Sequence, residues 1–143
     1  MDGLITYLNT DLDLISDSDL TALASALETG GVFPLHVTRG EDGRWYATFE
    51  TDKQHTEPEA NIAAMLTVVE SLDASLRSAW ARCSLRVFDI GYDCGLEPWG
   101  FNQALSSETL RRIAAAGASL RVTLYPDRDQ STPTEAPQQT GET

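Results

Sequence analysis

VFPLHVTRGEDGRWYATFE, residues 32–50, is the stretch around which the fold is read. Two β-prone runs, Val32–Thr38 and Arg44–Glu50, flank Arg39-Gly40-Glu41-Asp42-Gly43. A short connection rich in Gly and Asp between such runs is a hairpin signal. Along the second run Trp45, Ala47 and Phe49 share one face and Tyr46, Thr48 and Glu50 the other. That is the period of a half-buried strand.

Outward toward the N-terminus, Leu20, Leu23 and Leu27 form a helical stripe that Gly30-Gly31 ends. Ser16 reads as its N-cap, with Asp19 completing a capping box and Ile15 stapling to Leu20. Before it, a strand near Leu4–Leu8 extends to Leu14, with Leu8, Leu12 and Leu14 evenly spaced. Outward toward the C-terminus, Thr56 caps, Pro58 suits the first turn and Glu59 closes a second capping box. Ile62, Met65, Leu66, Val69 and Leu72 then recur at helical spacing, and a short helix from about Asp73 carries Leu76 and Trp80. Cys83–Ile90 reads as a strand and Gly91–Gly100 as a loop. Ser106 caps another helix, with Leu105 and Leu110 in staple register and Gly117 at its end. A last strand, Ala118–Tyr125, places Leu120, Val122 and Leu124 on one face.

The expected fold is α+β, in the order β-α-β-β-α-β-α-β. Its first six elements follow the ferredoxin-like pattern, a sheet with helices packed on one face. A C-terminal helix and strand extend it. Residues 1–125 form one domain. Residues 126–143, with three prolines and almost no large apolar side chain, read as a disordered tail.

The chain has 143 residues, 41% of them hydrophobic, and a net charge of −12. One domain of that size buries roughly two thirds of its unfolded surface without staples. The charge argues against direct nucleic-acid binding and against a basic membrane-surface protein. Residues 1–60 hold 12 acidic and 3 basic side chains, and the remainder 10 and 7. The negative field therefore belongs mainly to the first half. The acidic start, broken by Asp11 and Asp13, is unlike a secretory signal, and no run reaches the length of a membrane span. The expected compartment is the cytoplasm. Cys83 and Cys94 make neither a CxxC pair nor a disulfide framework.

WYATFETDKQHTEPEANIAAMLTVVESLD and ALSSETLRRIAAAGASLRVTLYP resemble a bacterial family called domain of unknown function 4279. The likeness covers residues 33–125 and is carried by Leu105, Ser106, Leu110, Gly117, Ala118, Leu120 and Tyr125. It implies a small bacterial accessory protein, of the kind that includes immunity-type inhibitors, and brings no catalytic residues.

Asn9, Asp11 and Asp13 begin like a calcium loop, but Leu14 and Leu20 stand where Gly and Glu are required. Asp11-Leu-Asp13 after an apolar strand also resembles the nucleophile motif of haloacid-dehalogenase-type phosphatases, which need a lysine and further acids for Mg²⁺. Lys53 is the sole lysine, and the chain is short for that fold. The plain reading is a solvated strand edge before a helix, where acids suit the dipole. His36 and His55 lack metal-ligand spacing, and no GxSxG, P-loop or GxGxxG occurs. Asp89–Phe101 mixes acids with Tyr92, Trp99 and Phe101, the composition of a binding loop.

These features point to a non-enzymatic acidic protein, without metal or cofactor, that recognises a basic protein as an immunity-type inhibitor or nucleic-acid mimic. Its candidate binding residues are Asp11, Asp13, Asp17, Asp19, Asp89, Tyr92, Asp93, Trp99 and Phe101. Two alternatives stand beside it. One is a small-ligand binder or enzyme that uses the Asp89–Phe101 loop with His36 or Asp11. The other is a homodimer, rather than a monomer, paired through an exposed edge such as Ala118–Tyr125.

Overall fold

Alternation along one central strand decides the architecture. In a computed structural model that describes residues 3–126, β1 (Thr6–Ser16) buries Thr10, Leu12, Leu14 and Ser16. Asn9, Asp11, Asp13 and Ile15 point to the other face and are only half-buried. The remaining elements are α1 (Thr21–Thr29), β2 (Val32–Arg39), β3 (Trp45–Thr51), α2 (Pro58–Glu70), α3 (Ala74–Ala81), β4 (Leu85–Asp93), α4 (Ser107–Ala115) and β5 (Ser119–Tyr125). The fold is α+β, with a five-stranded mixed open sheet in the order β2-β3-β1-β4-β5. Neighbours are antiparallel except β4 and β5, which are parallel.

The core lies between one sheet face and the helices. Leu12, Leu14, Ala47, Phe49, Phe88 and Ile90 from the sheet meet Leu23, Leu27, Ile62, Met65, Leu66 and Trp80 from the helices. Each such large side chain contributes about 1.5–3 kcal/mol on leaving water.

Several local expectations shift under tertiary constraint. Leu8 is not in phase with Leu12 and Leu14. A register shift between Tyr7 and Asn9 turns Leu8 outward, where it is 36% exposed. Ser16 does not cap α1. It is the fully buried last residue of β1, because Ile15 and Ser16 still pair with Tyr46 and Trp45 of β3. Helix α1 starts at Thr21, whose N–H donates to Asp19 Oδ1 at 2.8 Å. Thr56 likewise does not cap α2, which follows Glu57 with Pro58 in its first turn. The buried Asn61 organises that approach by bonding the His55 N–H and C=O and the Tyr7 hydroxyl. Glu59 Oε1 accepts from the Ser106 N–H instead of closing a capping box. The expected cap Ser106 does form, accepting from the Thr109 N–H, and Asp73, at the expected start of the short helix, caps α3 by accepting from the Leu76 N–H. The expected tail lies, beyond Pro126, outside the described residues.

Arg86 ties the far end of the molecule together. Its Nη1 donates to the carbonyls of Trp80, Ala81 and Cys83, and its Nε to that of Gly117. It thus adds a charged donor to carbonyls at the C-terminus of α3, where a cation also suits the dipole. Gly117 makes the turn from α4 into β5 at φ +72°, a conformation that disfavours side chains, and packs against the guanidinium. Trp80 Nε1 adds a bond to the Ala116 carbonyl. Arg86→Ala is expected to cost about 2–3 kcal/mol, since several carbonyls lose a charged donor at once. Arg86→Lys should recover only part, because an ammonium cannot fork to both turns. Urea unfolding checks both, by a fall in midpoint at unchanged slope.

Candidate functional site

The sheet face turned away from the helices carries a polar cluster across four strands. Asp11 and Asp13 point out of β1 at successive outward positions. Asp89 stands directly opposite Asp11 on β4, and Thr48 opposite Asp13 on β3. Glu50 follows Thr48 on the same face of β3. Arg121 lies next to Asp89 on β5.

Hydrogen bonds hold these groups in place. Asn9 Nδ2 donates to Glu50 Oε2 at 2.7 Å and, more weakly, to Asp11 Oδ1 at 3.4 Å. Thr48 Oγ1 donates to Asp13 Oδ1 at 2.9 Å, and Thr123 Oγ1 to Asp89 Oδ1 at 2.7 Å. The Arg121 guanidinium bridges Asp13 and Asp89 through Nη2. Among the described residues, the four carboxylates of this cluster therefore stand beside one bonded cation, Arg121, which reaches Asp13 and Asp89. Exposed pairs of this kind contribute only about 0–1 kcal/mol each. Their weight is in the field they leave, not in stability.

Asp11 feels that imbalance most. Its carboxyl is pushed up to about 7, first by burial, then by hydrogen bonding with Glu50, then by the charges of Glu50, Asp13 and Asp89. Like charges at close quarters and desolvation both disfavour its ionised form. The same face dips into a depression of about 270 Å³. Its wall includes Asp13, His36, Tyr46, Thr48 and Arg121.

The sequence-predicted residues divide between two faces and the strand ends. Asp11, Asp13 and Asp89 come together on the open face. Asp17 and Asp19 sit in the exposed turn after β1, where Asp17 meets Arg44 at 3.5 Å and Asp19 holds the Thr21 N–H. Asp93 ends β4, paired in register with Thr6 and Tyr125. Tyr92 points to the helix side, packed between Tyr7 and Phe101 at ring distances of 5.9 and 5.2 Å. Its hydroxyl makes no hydrogen bond among the described residues and is pushed up to about 12, mainly by burial. Trp99 is fully exposed. The expected loop from Gly91 therefore begins later, since Gly91, Tyr92 and Asp93 are strand residues. Strand alternation sends Asp89 and Tyr92 to opposite faces.

On the helix side, Tyr92 and Phe101 line an apolar groove of about 380 Å³ together with Ile5, Leu120, Val122 and Leu124. Sequence reasoning missed Glu50, Asn9, Thr123 and Arg121 as members of the acidic cluster. The usable signal was alternation, since Asn9, Asp11 and Asp13 repeat every second residue, as do Tyr46, Thr48 and Glu50.

Among the described residues, no three His, Cys, Asp or Glu side chains are arranged to hold a metal ion. Cys83 and Cys94 are both free thiols. No helix among the described residues is long and apolar enough to cross a membrane. No family model, curated protein or solved structure matches the chain, so the resemblance read over residues 33–125 rests on the sequence pattern alone.

The raised Asp11 carboxyl sets a pH dependence. Between about pH 4 and 7 the folded protein binds more protons at this group than the unfolded chain does. Stability from it is present at the acidic end and falls as pH rises through 7. Asp11→Asn removes that loss and is expected to be more stable than the parent above pH 7. The gain is about 1 kcal/mol once solvent screening is discounted, and it shrinks toward pH 4. Thermal unfolding of both proteins across that range checks it.

Proposed function

We propose that this protein is a non-enzymatic binding module whose acidic open sheet face recognises a basic protein. The observation that carries the reading is the cluster of Asp11, Asp13, Glu50 and Asp89 on a face that, among the described residues, carries no helix and has Arg121 as its bonded cation. With a net charge of −12 behind it, this face would steer a cationic partner and raise its association rate. An inhibitor of a basic toxin, or a mimic that occupies the nucleic-acid surface of another protein, uses this same physics.

The division of Asp89 from Tyr92 and Phe101 favours this reading over a single small-molecule site built from Asp89–Phe101. The free thiols accord with a cytoplasmic protein. A ferredoxin-like arrangement is part of the proposal. It is supported by the antiparallel run β2-β3-β1-β4, in which α1 joins β1 to β2 and α2 with α3 joins β3 to β4.

The test is capture with the tagged full chain from the source cell's lysate at about 0.1 M and 1 M salt, over which the Debye length falls from about 10 Å to about 3 Å. A basic partner is expected at low salt and lost at high salt. Asp11→Asn with Glu50→Gln should slow its association roughly tenfold at low salt. A partner held equally at both salts, and equally by the double variant, would sink the acidic-face reading.

A further inference from the structure

We propose that the outer edge of β5 pairs antiparallel with the same edge of a second copy, about a two-fold axis at Val122. The two edges of the sheet are built differently. At the β2 edge, Pro34 lacks an N–H and the pairing shifts between Pro34 and His36. Both features blunt an edge against further strands. At the other edge, β5 pairs with β4 at seven consecutive positions without a bulge. It has no proline and no lysine, and its outer side meets no strand among the described residues.

The sequence of β5 is self-complementary in that register. A two-fold at Val122 sets Leu120 opposite Leu124 and Ser119 opposite Tyr125, with Val122 against itself. Arg121, the strand's one charge, falls opposite Thr123 and not opposite its own copy. The apolar side chains stay on one face and the polar ones on the other, as strand pairing requires. Leu120, Val122 and Leu124 are 40%, 53% and 60% exposed, although they face the helix side of the sheet. They form one wall of the apolar groove, so a second copy would continue an apolar surface that α4 leaves open. The chain's own residues 127–143 make a poor occupant, since they contain no Val, Ile, Leu, Met or aromatic residue to set against it. Oligomers closed by a two-fold are the commonest kind. The pairing neither requires nor blocks a partner on the acidic face.

Sedimentation velocity on the full chain over a wide concentration range is expected to give twice 15.6 kDa. Val122→Lys sets two ammonium groups against each other at the axis and should weaken dimerisation at least tenfold, with the circular dichroism spectrum unchanged. Val122→Cys provides an independent readout that does not depend on the lysine variant folding. Under mild oxidation it should form a disulfide-linked dimer, whereas the parent chain and Leu35→Cys on the β2 edge should not. A monomeric parent at all concentrations would overturn the proposal. A dimer that survives Val122→Lys, or one that links through Leu35→Cys as readily as through Val122→Cys, would overturn it too.

Discussion

Everything in this structure depends on the phase of β1. It is the strand with neighbours on both sides that joins the β2-β3 hairpin to the β4-β5 pair. Its even-numbered residues from Thr10 to Ser16 enter the core, and its odd-numbered residues from Asn9 to Asp13 leave it. A slip of one residue would bury Asp11 and Asp13 beneath the helices and expose Leu12 and Leu14. The cost of burying unpaired carboxylates is large enough to forbid that arrangement. The acidic cluster is thus a consequence of the fold's register as well as a candidate surface. The bulge at Tyr7/Asn9 completes the pattern, since it lets Tyr7 reach the helix side and hydrogen-bond Asn61.

That phase has a chemical consequence. The sheet presents two unlike surfaces, an acidic one on the open side and an apolar groove beside β5 on the other. Ligand chemistry that needs a carboxylate next to an aromatic ring finds no such pair between Asp89 and Tyr92, although they stand three residues apart. Charge-guided recognition finds a ready field on one side, and strand addition finds at β5 an edge that meets no second strand among the described residues. These are separate surfaces with separate physics, one screened by salt and the other driven by backbone pairing and apolar burial.

Much of the element order was legible because it rests on short-range patterns. The hairpin at residues 32–50, the stripe from Ile62 to Leu72, the helix start near Asp73 and the cap Ser106 all stand where the sequence places them. Ser16 and Thr56 misled for a shared reason. Each lies in a sequence that suits a cap, but strand pairing held Ser16 in the sheet and the Asn61 network shaped the approach to α2. Within the acidic cluster, Asp11, Asp13 and Asp89 were visible as acids on β-prone runs. Glu50 and Arg121 were not, because their membership depends on which strands are neighbours.

Sequence alone determined the α+β class, the acidic balance, the alternating faces of the strands and the absence of standard catalytic motifs. These follow from composition and from periods of two and 3.6 residues, which local chemistry imposes. Tertiary structure decided the strand order, the meeting of Asp11 with Asp89 and Glu50, the bridging role of Arg121 and the clamp made by Arg86. It also decided that β5 lies at the end of the sheet, beside no second strand among the described residues. Such contacts join residues tens of positions apart. Their geometry is set by register and packing across the whole sheet, which no local window of sequence encodes.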